Sequence, residues 1–289
     1  MSVIEKPKVT QIEWFDSHFY RVDFDLSDDG DKPETRYIPS VTTKLGSVAK
    51  PFLAHWRGDI GNREADLRVM EAADRGSRVH YAYDVFKRGG AVIYQPFNRP
   101  TYTQEEINKI FEDYAGIVSV LNHQEEMYQV YKLQRLYKIL KPTVLFSEHI
   151  VYSLESNDAG QVDDIWQIEA GEYKVIGAKP LIIEESGLYV NDLKTGKEID
   201  DDAFLQTAVY LKLAESMGLG EFKGTLITHT QAKTKQGIEG LTVYHRKRPQ
   251  VEQDYSDYLK IADIWQRKFG DLRPKCFEFP SLITQKKEK

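Results

Sequence analysis

In VNDLKTGKEIDDDAFLQTAVYLKLAE, residues 190–215, an acid and a base stand two apart at Asp192 and Lys194, and Gln206 and Tyr210 follow one helical turn apart. Alternate residues of a strand share a face. Asp192 and Lys194 therefore point one way, and Asn191 and Leu193 the other. Two further acidic positions fall on the strands expected upstream: Asp163, with Asp164 beside it, in AGQVDDIW, and Glu148 in LFSEHI. Three carboxylates from consecutive strands make an oxygen-rich site suited to a hard divalent cation such as Mg²⁺. Each piece alone has an ordinary reading. Asp-x-Lys makes an exposed ion pair of small value, Asp is common in turns, and a helical tyrosine most often packs in a core. His80, in DRGSRVHYAYDVF, reads equally well as a satisfied core histidine. Order and spacing carry the weight.

The elements that must position these residues follow from pattern. Residues 9–38 alternate aromatic and polar positions as short strands, with SDDGDKPE as a turn. Ser40 or Thr42 caps a short helix, and Lys50-Pro51 marks a break before the next. Residues 60–88 read as helix, ended by Gly89-Gly90. Residues 101–140 read as one or two helices, opened by the capping box Thr103/Glu106 and stopped by Pro142. The texture then changes to strands: TVLFSEHIVYSLES, a turn at NDAG, QVDDIWQIEA with Asp163 at its start, a hairpin within 172–184, and LYVNDLKTG. A helix over 202–217, the strands GTLITHTQ and LTVYHR, a last helix YSDYLKIADIWQRKF and a frayed tail QKKEK complete the chain. This order predicts an α/β chain with a mixed central sheet flanked by helices and a helical N-terminal lobe. The expected division is strands and helical lobe over 1–140, core over 141–250, and C-terminal helix and tail over 251–289.

Composition bounds the function. With 289 residues, 41% of them hydrophobic, a sizeable core is available. No run approaches the ~18 apolar residues of a membrane helix, and the N-terminus lacks a signal-peptide pattern. A single cysteine, Cys276, excludes an internal disulfide and a four-cysteine zinc or iron–sulfur site. These features fit a reducing cytoplasm. The net charge of −6 argues against broad nonspecific nucleic-acid binding. It leaves room for a local basic groove on an acidic body.

Gly160 with Asp163, Asp192 with Lys194, and Gln206 with Tyr210, in that order, resemble the PD-(D/E)xK nucleases of the RecB-like branch, which includes lambda-type and mitochondrial-type exonucleases. Upstream, RGSRVH is similar to an element that places His80 at the metal in that family, and IPSVTTKLGSVAKPFLAHW resembles the segment that often opens such proteins. The resemblance spans about residues 38–230. It implies a restriction-endonuclease-like core and a metal-dependent DNA exonuclease acting on single strands or free ends, in recombination, repair, replication or phage DNA metabolism. The metal it implies is Mg²⁺ or Mn²⁺, with no iron–sulfur cluster. Asp163 and Asp192 become ligands, with His80, the Leu193 backbone carbonyl and Glu148 completing the set. The Gly-x-x-Asp spacing favours Asp163 over Asp164. Lys194 orients the attacking water and stabilises developing charge, and Gln206 and Tyr210 position Lys194 or the nucleic-acid backbone. Candidate strand contacts are Arg75, Arg78, Ser40, the run Arg246, Lys247 and Arg248, and Trp56, which also suits a core role. The partners implied are DNA and a recombination or replication protein, with no membrane, in a bacterial or phage-infected cell. The competing reading is a catalytically silent module on the same fold that holds nucleic-acid ends or a protein.

Overall fold

The structure, a computed structural model, describes residues 7–14, 17–24, 34–174, 179–231 and 240–274. Five strands form the central sheet: β6 (Thr143–Ser153), β7 (Asp158–Ile168), β10 (Gly187–Lys194), β11 (Phe222–His229) and β12 (Thr242–Lys247). Their order is β12-β11-β10-β7-β6. Only β10 and β11 run parallel, and the other neighbours are antiparallel. A parallel pair needs a crossover, and the helix α6 (Asp202–Ser216) supplies it.

β10 lies at the centre of the sheet with five consecutive buried residues, Tyr189–Leu193. Its alternation divides two cores. Leu188 and Val190 pack with α6 and with α7 (Arg248–Phe269) through Ala208, Leu211, Val251 and Tyr258. Tyr189 packs on the opposite face with Leu136 and Leu140 of α5 (Gln124–Leu140). Leu193 joins that face beside Val79, Tyr83 and Leu133. α6 is apolar around most of its circumference because the sheet covers one side and α7 the other.

The preceding region carries β1 (Lys8–Trp14), β2 (Ser17–Phe24) and β3 (Glu34–Pro39) in an antiparallel meander. The helices α1 (Val41–Leu45), α2 (Pro51–Ile60) and α3 (Asn62–Lys87) follow. Ser40 caps α1 by accepting from the Thr43 N–H, and Pro51 opens α2. The segment 101–140 resolves into two helices, α4 (Gln104–Asp113) and α5. Thr103 and Glu106 form the expected capping box of α4. The short parallel pair β4 (Ala91–Tyr94) and β5 (Val118–Leu121) is unanticipated in sequence. The expected hairpin is β8 (Gly171–Tyr173) with β9 (Leu181–Ile183).

Three expectations need correction. The turn before β7 occupies residues 154–157, with Asn157 at φ +54°, so Asp163 sits mid-strand and not at the strand's start. Gly160 is likewise a strand residue and not the end of a turn. The last helix begins at Arg248, several residues earlier than expected, with Pro249 in its first turn. The expected turn SDDGDKPE, apart from Glu34 in β3, and the tail QKKEK with Cys276 lie outside the described residues.

Candidate active site

β7 and β10 pair as far as Asn191 opposite Asp164, and there the ladder stops. The next register position sets Asp192 across from Asp163, so the two acids stand on either side of a fork in the sheet. The Leu193 N–H, released from the ladder, donates to Asp163 Oδ2 at 2.7 Å. In extended backbone a residue's N–H and C=O point to the same side, so the Leu193 carbonyl is directed to the fork as well.

The third acid arrives from β6. Ser147 pairs with Asp164 and His149 with Val162, and between them Glu148 adopts φ +50°. A non-glycine residue in the left-handed region within a strand is strained by about 1–3 kcal/mol, and such strain gathers at functional sites. Glu148 Oε2 accepts from Gln161 Nε2 at 2.6 Å. Crowding by protein atoms, then the Asp163 carboxylate, raise its pKa above the ordinary glutamate value, although the residue as a whole is exposed.

α3 contributes the histidine. His80 Nδ1 lies 3.7 Å from Asp163 Oδ2. One ligand atom each from His80, Glu148 and Asp163 fall within 4.8 Å of one another. α3 comes close to the end of β10 at Gly76, one turn before His80, where a Cβ would stand 3.0 Å from Thr195 Oγ1. Asp84 and Lys87 continue the same helical stripe. Lys87 Nζ donates to Ser147 Oγ at 2.7 Å and ion-pairs with the buried Asp164. Asp164 is thereby committed away from the fork, and burial pushes its pKa up to about 7 against the pull of Lys87.

Asp192 and Lys194 share the α6 face of β10. Lys194 Nζ forms an ion pair with the buried Asp192 Oδ2 at 2.8 Å. The same ammonium donates to Gln206 Oε1 at 3.1 Å, and Gln206 Nε2 donates to the Tyr210 hydroxyl at 2.8 Å. A lysine only donates, so the contact orients the Gln206 amide, and Tyr210 must be the acceptor. Burial raises the Asp192 pKa, with Lys194 opposing and Asp163 adding to it. Burial alone would lower the Lys194 pKa, but Asp192, backed by Asp163 and Asp200, holds it above the ordinary lysine value. A crowd of carboxylates around one ammonium is short of positive charge.

Gly160 explains the link between two separated motifs. A Cβ there would lie 2.1 Å from Tyr210 Cε1. The glycine leaves room for the tyrosine ring to lie across β7 and complete the row Asp192–Lys194–Gln206–Tyr210.

Open clefts surround this cluster. One of about 540 Å³ is lined by α3 together with Glu148 and Thr195. Another of about 260 Å³ is lined by Glu148, Asp163 and Tyr210 with Gln11, His18 and Thr42. Two more, of about 220 and 490 Å³, share Lys194. Ser40 lines the second cleft, but its hydroxyl is engaged with Thr42 and Thr43 as the cap of α1.

The remaining candidates fare differently. Arg78 is tied by Nε and Nη2 to Glu126 of α5, and Arg75 is half-buried on α3. Trp56 is half-buried on α2, a helix with no buried residue, so its expected core role does not hold. Arg246, Lys247 and Arg248 stand at the far end of β12, about 15 Å along the strand from the end beside Lys194. They are paired with Asp254, Glu184, and Glu215 and Glu252. They therefore do not reach the fork. Lys87, Ser147 and Gln161 join the site without having been among the residues expected there. The spacing His80, Asp84, Lys87 on one helical face is the signal that finds the first.

No protein-family model matches the chain, and none of the curated proteins compared with it matches. Among the described residues no helix is long and apolar enough to cross a membrane.

Proposed function

We propose that the chain is a metal-dependent nuclease of the PD-(D/E)xK type, hydrolysing phosphodiester bonds of DNA. The carrying observation is that ligand atoms of His80, Glu148 and Asp163 lie within 4.8 Å of one another, with Asp192 next in register across the fork beside the row Lys194–Gln206–Tyr210. The donor set fits a divalent cation. Two carboxylates and an imidazole lie within 4.8 Å of one another, Asp192 follows in register across the fork, and the carboxyl groups of Glu148 and Asp192 are raised in pKa by burial. One imidazole among the oxygens suits Mn²⁺ as well as Mg²⁺.

His80, Glu148, Asp163 and Asp192 would hold the ion, with the Leu193 carbonyl at hand. When bound, such an ion lowers the pKa of water and neutralises charge on the scissile phosphate. The chain's own residues do the rest. Lys194, kept charged by Asp192, sets a fixed positive group where the phosphate gains charge. Gln206 holds the ammonium in place and is itself held by Tyr210. The Leu193 N–H fixes the Asp163 carboxylate. Clefts that stay open on several sides of the cluster suit a polymer passing through, not an enclosed small molecule.

The test is degradation of an end-labelled single-stranded oligonucleotide by the full chain with Mg²⁺, Mn²⁺ or EDTA, beside Lys194→Ala and Asp192→Ala. Metal-dependent cutting that is lost in both variants is the expected result, and the product ladder gives the polarity. Absence of cutting on linear, circular, single- and double-stranded DNA and on RNA would leave a binding module in place of a nuclease.

A further inference from the structure

The clefts around the fork are poor in charge that is free to meet phosphate. Among the described residues that line the two Lys194 clefts and the two that meet at Glu148, the lysines and arginines are Lys50 and Lys194 alone. Both are already ion-paired, Lys50 with Asp200 and Asp202, Lys194 with Asp192. A duplex offers a protein its phosphates and hides its base faces, and its binding strength comes from neutralising those phosphates with lysine and arginine. These clefts offer little of that.

They offer aromatic rings instead. Phe52 of α2 is 64% exposed and lines the 490 Å³ cleft with Lys194. Tyr81 of α3 is 57% exposed and lines the 540 Å³ cleft with His80 and Glu148. Lys194, the last residue of β10, lines the first cleft, and its neighbour Thr195 lines the second. Neither ring makes an aromatic or cation contact with another described residue. Single exposed aromatics are common on protein surfaces, but these two stand in the walls of the clefts that contain the reacting groups. The cleft beside Tyr81 is also lined by the small residues Ala72, Ala73, Gly76 and Ser77.

We infer that Phe52 and Tyr81 are two base-stacking platforms that take an unpaired polynucleotide strand through the clefts that Lys194 and Thr195 line. The inference rests on the nuclease reading for the place of the cut, and extends it by naming the residues that select an unpaired strand. Stacking on an aromatic side chain is tolerant of sequence and stronger for unpaired bases, whose faces are free.

The experiment is fluorescence anisotropy with the full chain carrying Asp192→Asn in Mg²⁺, so that no cutting interferes. The probes are a labelled twelve-nucleotide single strand and a blunt hairpin duplex of the same length. Phe52→Ala and Tyr81→Ala are each expected to weaken single-strand binding about 5- to 100-fold, and Phe52→Trp and Tyr81→Phe to retain it. Duplex binding is expected to be weak from the start and unaltered by either alanine. Both side chains are exposed, so unchanged melting temperatures establish that the variants fold. Binding of the single strand at wild-type strength by both alanine variants would overturn the inference. So would duplex binding as tight as single-strand binding, or no binding of either probe. The cutting assay with the unmodified chain is scored separately. Metal-dependent cutting with no effect of either ring would sink the platforms and leave the nuclease. Ring-dependent binding without cutting would do the reverse.

Discussion

Gly160→Ala tests how β7 and α6 are fitted together. The added methyl would lie 2.1 Å from Tyr210 Cε1, 2.7 Å from Cζ and 2.9 Å from the hydroxyl oxygen. The ring cannot step aside cheaply, because Tyr210 is 4% exposed and packs among Val41, Val151, Val162 and Val209. Gly160 lies within a regular strand and does not have a positive φ, so alanine meets no backbone penalty and the cost is steric. Overpacking of this kind costs about 1–3 kcal/mol, and the severity of the clash puts the expected loss at about 2–3 kcal/mol. For a chain of this size that lowers the melting temperature by about 3–5 °C. Moving the ring also pulls the hydroxyl from Gln206, so cutting by the surviving folded protein should slow. Urea unfolding of Gly160→Ala, Tyr210→Ala and the double variant gives the coupling. With the ring removed the methyl has room, so the alanine should cost about 1–2 kcal/mol less in the Tyr210→Ala background. Equal cost in both backgrounds, or a Gly160→Ala chain as stable as wild type, would refute the steric link.

Further outcomes follow from the polar pairs. Gln206→Leu leaves Lys194 without its hydrogen-bonded support and should slow cutting about 10- to 100-fold, with rescue by Gln206→Glu marking a positioning role. Lys87→Met strips the partner from buried Asp164 and should cost about 3–5 kcal/mol in a urea titration. Asp164 also sets a pH dependence in EDTA. Its folded pKa of about 7 stands above the ordinary value of 3.8. The folded chain therefore holds more protons between those limits, and stability is greatest below them and falls as pH rises through 7. Asp164→Asn should flatten part of that fall between about pH 4 and 7, to which Asp192, Glu148 and Asp254 also contribute because their pKa values are shifted the same way. Tyr258→Phe removes one donor from the buried Asp158, which also accepts from Lys44, and should cost about 1–3 kcal/mol with no effect on cutting per folded molecule.

Much of the frame is legible in the chain. Alternation marks β6, β7 and β10, and it sets Asp192 and Lys194 on one face of β10 with Asn191 and Leu193 on the other. The Thr103/Glu106 box and the Pro142 stop fix α4 and α5 because capping chemistry is local. What escapes is non-local. β4 and β5 are four residues each and too short to show a period. Gly160 reads as a turn glycine because its reason, a tyrosine ring 50 residues on, is not in its neighbourhood. Lys44 with Asp158, and Lys87 with Asp164, join residues some 114 and 77 positions apart, and no spacing rule reaches across such intervals. HRKR looks like a phosphate contact because charge is visible in sequence, whereas the acids that neutralise it come from α6, α7 and the loop after β9. Glu148 is legible as an acid on the right strand, but the left-handed backbone that re-aims it is not.

Everything proposed for the chemistry rests on the carboxylates at the fork holding a divalent cation. Titration of the full chain with Mn²⁺, followed by electron paramagnetic resonance of the free ion, measures this directly. The wild-type chain should remove Mn²⁺ from solution saturably, in competition with Mg²⁺, and Asp163→Asn and Asp192→Asn should each weaken the uptake at least tenfold. Mn²⁺ left free by the wild-type chain, or taken up equally by both variants, would contradict it.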